Sequence, residues 1–135
     1  MAINWRFDEG DCKPYIPYKP IEPGKYWVRI EKAEEMISKA GHQMIKLTLE
    51  IDGKRERVWS YIVFDMRNKE MVNRKLNEIY ESFRIKKGDL DASHWVGYVG
   101  AVQIKQNIYE GQPVPHVSHF LNQMQQENLP PWRTF

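Results

Sequence analysis

The fold is decided by residues 24–64, which read GKYWVRIEKAEEMISKAGHQMIKLTLEIDGKRERVWSYIVF. In residues 45–51 (IKLTLEI) apolar and polar side chains alternate, and this period of two predicts a half-buried β-strand. Asp52-Gly53 follows directly, and the pair predicts a type I′ hairpin turn with positive φ at the corner. The stretch therefore predicts three consecutive β-strands, with a tight hairpin between the second and the third.

One further strand is predicted before residues 45–51 and one after them. Residues 26–31 alternate as well, which directs Trp27 and Arg29 away from the core. Residues 33–44 are highly charged and predict a connection, with a turn at residues 38–41. The third strand, residues 57–64, is nearly all apolar. Its sequence leaves open which parity points inward, and therefore whether Trp59 and Tyr61 are buried or exposed.

Beyond this stretch the hydrophobic period changes from two to that of a helix. The apolar residues at helical spacing are Val72, Leu76, Ile79 and Phe83. Asp65 or Asn68 would cap the start of this helix, and Gly88 would end it. The carboxylate of Glu70 would interact favourably with the positive N-terminal end of the helix dipole. We interpret the helix as a cover for the core, with a solvated charged face opposite.

Two further strands are predicted at residues 98–109 and 114–121, joined by a turn at residues 110–113. Residues 89–97 form a loop that Trp95 would anchor. The order strand-strand-strand-helix-strand-strand is that of a five-stranded OB-fold barrel, so the predicted class is all-β with one helix. A small sandwich with one helix is the competing geometry.

The chain divides into three predicted parts. Residues 1–23 form an extended proline-rich arm, because proline recurs every third residue from Pro14 to Pro23. Residues 24–121 form the OB-fold domain. Residues 122–135 form a flexible tail.

Composition narrows the class of protein. A length of 135 residues fits one domain with a single core, and the lone Cys12 allows no intramolecular disulfide. The sequence has no apolar run of about 18 residues and no signal-peptide pattern, so we expect a soluble cytoplasmic protein without membrane contact. His116 and His119 would point to opposite faces of a strand, which argues against a metal site. With no catalytic motif, we predict neither an enzyme nor a cofactor nor a metal.

Nucleic-acid binding has positive support in the mixture of aromatic and basic residues. Residues 1–87 carry 18 Lys and Arg against 14 Asp and Glu, whereas residues 88–135 carry 2 against 4. Single strands bind to basic grooves with aromatic faces on which bases stack. The residues predicted to bind DNA are Trp27, Arg29, Lys46, Lys54, Arg55, Arg57, Trp59 and Tyr61.

The sequence also resembles a family of small phage and prophage proteins. The residues that carry the resemblance are IEPGKYWVRI (21–30), KAEE (32–35), MIKLTLEI (44–51), WSYIVF (59–64), Lys75-Leu76 and WVG (95–97). Members occur among early replication and recombination genes, and some are described as single-stranded DNA-binding proteins. The resemblance implies an OB-fold that coats single-stranded DNA, without sequence specificity, in the host bacterial cytoplasm. Many single-strand binders end in an acidic tail closing with Phe; this chain ends in Phe135 but lacks the acidic cluster.

An alternative function uses the same barrel without nucleic acid. It would be a protein-interaction module that docks a phage or host replication or recombination protein through residues 1–20 or 122–135. Free strand edges and the arm are compatible with a homo-oligomer. The sequence leaves open the oligomeric state and the choice between DNA and RNA.

Overall fold

The computed structural model of the chain describes residues 2–11, 21–127 and 129–130. Cys12, the arm prolines at 14, 17 and 20, and the terminal Phe135 lie outside the described residues.

The described residues form one antiparallel sheet with a single long helix. The elements are β1 (Gly24–Ile37), β2 (Gln43–Ile51), β3 (Arg57–Val63), α1 (Lys69–Phe83), β4 (Val99–Tyr109), β5 (Gln112–Leu121) and a short α2 (Gln123–Gln126), with 3-10 turns at Glu9–Asp11, Met66–Asn68 and Ala92–Trp95. The strand order is β3-β2-β1-β4-β5. The predicted class of five strands with one helix after the third is confirmed. No helix among these elements is long and apolar enough to cross a membrane.

The core lies between the concave face of the sheet and α1. Alternate residues of the strands point into it, including Val28 and Ile30 of β1 and the predicted set Ile45, Leu47, Leu49 and Ile51 of β2. The apolar stripe of α1 packs on β5, β4 and β3. Trp95 is fully buried and meets Tyr80 edge-on with ring centroids 6.1 Å apart, which confirms it as the anchor of its loop.

β3 and β5 are the two edges of the sheet, and they lie next to each other. No ladder of hydrogen bonds joins them in the described part of the chain, so the sheet is curved but not closed. A cleft between the two edges is lined on its third side by α1.

The turn after β2 corrects one prediction. Only Gly53 has positive φ there (+73°), whereas a type I′ turn needs positive φ at both central residues. The Lys54 N–H donates to the Ile51 carbonyl at 3.1 Å, which together with Gly53 fits a type II turn in a five-residue loop. Two successive residues with positive φ occur instead at Glu110 and Gly111, between β4 and β5.

The first hairpin is longer than predicted. Residues 33–37 and 43–44 belong to β1 and β2, and the turn predicted at residues 38–41 lies in the loop that joins them, residues 38–42. The apolar-polar alternation weakens there because the hairpin extends past the core. Charged side chains such as Glu34 and Glu35 then suit a strand exposed on both faces.

The helix also ends earlier than predicted. Arg84 takes the left-handed conformation (φ +58°) and its N–H bonds to the Tyr80 carbonyl, so α1 ends at Phe83 and Gly88 lies in a later turn. At the other end, Asn68 holds the N-cap position without a side-chain capping bond. The Asp65 carboxylate caps the preceding 3-10 turn by accepting from the Arg67 N–H.

The segment after β5 is anchored to the domain. We predicted a flexible tail from residue 122, and in the structure residues 123–126 form α2 behind an Asn122–Gln125 capping box. Gln126 is buried, and its amide donates to the carbonyls of Ser82 and Leu121 at 2.9 and 2.8 Å. One buried side chain thereby ties this segment to α1 and β5.

Candidate nucleic-acid interface

The parity of β3 exposes its aromatic residues. Val58, Ser60 and Ile62 point into the core, so the intervening Trp59 and Tyr61 point outward, 48% and 46% exposed. The apolar content of β3 reflects two different uses: one row of side chains fills the core and the other presents ring faces on the outer surface. The question that the sequence left open is thus answered in favour of exposure.

Lys46 lies beside both rings. The register of β2 and β3 sets Lys46 opposite Tyr61, and Thr48 opposite Trp59. Residues directly opposite on antiparallel strands share one face of the sheet. The Lys46 ammonium is also 5.9 Å from the centre of the Trp59 ring, within cation–π range. The structure therefore brings together one cation and two aromatic faces.

Acidic residues share this face with the predicted basic residues. Arg29 pairs with Glu50 at 3.8 Å, and Arg57 pairs with Glu31 at 2.6 Å. All four groups are partly exposed, so each ion pair contributes little to stability. Sequence reasoning missed these acids because cross-strand neighbours depend on the register of the strands. The outer face is mixed in charge, not uniformly basic.

Trp27 stands apart from this cluster. It has the outward parity of Arg29, but its indole N–H donates to the carbonyl of Pro130 and the ring is half-buried. On β1 it lies opposite Asp52, four residues along β2 from the partner of Trp59. With standard strand spacings, Trp27 and Trp59 are separated by about 13 Å along the strands and about 10 Å across them.

The loop after β2 holds the remaining two predicted residues. The Lys54 ammonium lies 5.9 Å from the centre of the Tyr26 ring, next to the start of β1. Burial, and next the nearby Glu22 carboxylate, raise the pKa of Tyr26. Arg55 is exposed, and its carbonyl accepts from the Arg57 guanidinium at 3.1 Å. The loop is basic but lies at the Trp27 end of the face.

One cation near the aromatic pair was missed by sequence reasoning. The Lys75 ammonium of α1 donates to the Tyr61 carbonyl at 2.5 Å, at the open edge of β3. Burial lowers the pKa of Lys75, and the Glu78 carboxylate partly opposes that shift. The available signal was its spacing: Lys75 is three residues after Val72 and next to Leu76, at the border of the apolar stripe.

The two close histidines do not follow the predicted parity. His119 pairs with Gln103 and His116 with Lys105, with a bulge between them. Because Gln103 and Lys105 share a face, both histidines lie on that face. The prediction of opposite faces is wrong because a bulge adds one residue to the strand. Within the described residues, no three His, Cys, Asp or Glu side chains are grouped to hold a metal.

Comparison with known proteins adds no identity. No protein-family model matches the chain, and no curated protein matches it. The resemblance to phage proteins remains a prediction from the residues quoted above.

Proposed function

We propose that the chain binds single-stranded DNA, without sequence specificity and without catalysis, on the outer face of β1–β3. The observation that carries the proposal is the outward orientation of Trp59 and Tyr61 beside Lys46. A buried row of core residues fixes the backbone under both rings, so their spacing is set before any ligand arrives.

We further propose that the architecture is a partly open OB-fold barrel. Its support is that β1 pairs with both β2 and β4, while β3 and β5 lie side by side with the helix that links β3 to β4 packed near them. OB-folds bind oligonucleotides across the face of their second and third strands. In this chain those strands carry Lys46, Trp59 and Tyr61.

The chemistry of this face suits bases of any identity. Each ring stacked on a base contributes roughly 1–3 kcal/mol, and every base offers a π-face. Phosphates would compete with Glu50 and Glu31 for Arg29 and Arg57, exchanging exposed ion pairs for contacts to the DNA backbone. The resemblance to phage proteins supports proposing a role in DNA replication or recombination, in the cytoplasm of a host bacterium.

The test is a titration of the protein with oligo(dT), followed by tryptophan fluorescence at several salt concentrations. We expect quenching, and an affinity that falls as salt rises because counterions are released. Oligo(rU) in parallel measures the preference between DNA and RNA. Absence of both quenching and a gel shift at low salt would refute the proposal.

A second candidate function is favoured by the N-terminal segment. Ile3, Trp5 and Phe7 recur at every second residue and are 90%, 82% and 70% exposed. Exposed large apolar groups of this kind often mark contacts with another protein. We propose, as the alternative, that residues 2–7 dock a phage or host replication or recombination protein. Deleting residues 1–11 should then abolish co-purification with such a protein and leave oligo(dT) binding unchanged.

A further inference from the structure

The cleft between β3, β5 and α1 carries two further cations, Arg74 and Lys75, in addition to those of the outer face. It has a volume of about 310 Å³. Its polar lining comes from Ser60 of β3, Arg74, Lys75 and Glu78 of α1, and Ser118 and His119 of β5. Apart from the histidine, the two cations and one carboxylate leave the cleft with one net positive charge. Serine hydroxyls add donors that can serve a phosphate oxygen.

Lys75 is the centre of this arrangement. Its ammonium carries three donor hydrogens, and the Tyr61 carbonyl accepts from it at 2.5 Å. Desolvation of the ammonium favours its neutral form, and an anion in the cleft would restore the stability of the charged form. The cost of holding a cation here is thus offset when a phosphate binds.

The cleft adjoins the exposed rings. The Lys75 ammonium donates to the main-chain carbonyl of Tyr61. Ser60, which lines the cleft, is the residue directly before Tyr61 in β3. The Tyr61 ring points to the outer face, whereas its carbonyl points to the cleft across the strand edge. The ring face and the cleft thus meet at one strand edge, at Tyr61.

We propose that this cleft is a phosphate-binding site in which Arg74 and Lys75 hold the DNA backbone next to the base stacked on Tyr61. The inference rests on the proposed function and assigns α1 a part in binding DNA. Because phosphates are common to all sequences, the site supplies affinity but no sequence preference.

The experiment measures the salt dependence of oligo(dT) binding for wild type, Arg74→Gln and Lys75→Gln. For single strands, each phosphate contact contributes about 0.7 to the slope of log K against log salt. Each substitution should reduce that slope by about 0.7 and weaken oligo(dT) and oligo(dA) by the same factor. The maximal quenching of tryptophan should stay at the wild-type value, since stacking is retained.

Two controls keep the result decisive. Lys86→Gln removes an exposed lysine that does not line the cleft and should leave the slope unchanged. Arg74 is exposed, so Arg74→Gln reports on the site even where Lys75→Gln alters folding. A wild-type slope in Arg74→Gln, or an equal reduction in Lys86→Gln, would overturn the inference while the proposed function stands. Failure of the wild-type protein to bind oligo(dT) would remove both.

Discussion

Trp27 and Trp59 have the same outward parity on neighbouring parts of one sheet, yet their surroundings differ. Trp59 lies on an edge strand, half-exposed, with Tyr61 and Lys46 beside it. Trp27 lies on the central strand β1, where Pro130 accepts its indole N–H. Alternation along a strand determines the face on which a side chain lies. Residues far away in the sequence determine what contacts that side chain.

The comparison divides the outer face into an open end and a covered end. At the open end, ring faces and a cation are available to a ligand. At the covered end, Pro130 accepts the indole N–H of Trp27, and the ring is only partly exposed. We therefore expect the two ends to contribute unequally to binding.

The largest effect should come from removing both rings at the open end. Trp59→Ala together with Tyr61→Ala should weaken oligo(dT) binding by about 2–6 kcal/mol, at least about 30-fold, because each ring supports one stacked base. Both side chains are half-exposed, so the thermal midpoint should change little. Titration and a thermal melt measure the two quantities. Unchanged affinity in a folded double variant would show that the open end is not the binding surface.

A smaller effect, on stability, should follow from Gln126→Ala. Its buried amide donates to the carbonyls of Ser82 and Leu121, and Gln123 reaches the Ser82 carbonyl only at 3.4 Å. The change therefore leaves buried acceptors poorly paired, at a cost of about 1–3 kcal/mol. Urea denaturation measures the loss. Met124→Ala, an exposed position in the same short helix, is the matched control and should be neutral. If acrylamide quenching in Gln126→Ala increases at Trp27 and stays unchanged at Trp59, the segment after β5 covers only the Trp27 end.

A modest gain in affinity is expected from Glu31→Gln. The change releases Arg57 from its 2.6 Å ion pair and frees it for a phosphate, which should strengthen oligo(dT) binding about two- to threefold. Glu56→Gln makes the same change of charge in the loop before β3 and serves as the control. An equal gain from Glu56→Gln would mean that net charge matters and the pairing does not.

The smallest effect should be a dependence of stability on pH at His94. His94 bonds to Asp89 at 3.0 Å and lies 3.3 Å from Asp91, and these carboxylates raise the pKa of His94 above 6.5. Its contribution to stability is therefore complete below pH 6.5 and is lost as pH rises through the raised pKa. NMR titration of the His94 ring and thermal melts between pH 6 and 9 measure this. His94→Asn should flatten that part of the profile, and a ring that titrates below pH 6.5 would contradict the expectation.

The local sequence pattern was sufficient to predict the strands of the core. It did not predict features that depend on residues far apart in the sequence. The alternation of residues 45–51 predicted β2 correctly because one face is buried and one is not. The parity of β3 could not be predicted, since an apolar residue suits both the core and a binding face. The acids opposite Arg29 and Arg57 depend on register, and Pro130 over Trp27 depends on a contact spanning 103 residues. The hydrogen bond of Lys75 to Tyr61 likewise needs the three-dimensional packing of α1 on the sheet edge.

The most direct measurement compares the quenching of Trp59 and Trp27 by oligo(dT). Two variants share Trp5→Phe and Trp132→Phe, and one adds Trp27→Phe while the other adds Trp59→Phe. Trp95 stays in both as a buried, constant background. We predict strong quenching where Trp59 remains and much weaker quenching where only Trp27 remains. Equal quenching, or quenching confined to the variant that retains Trp27, would contradict the assignment of the Trp59–Tyr61 surface as the site of single-stranded DNA binding.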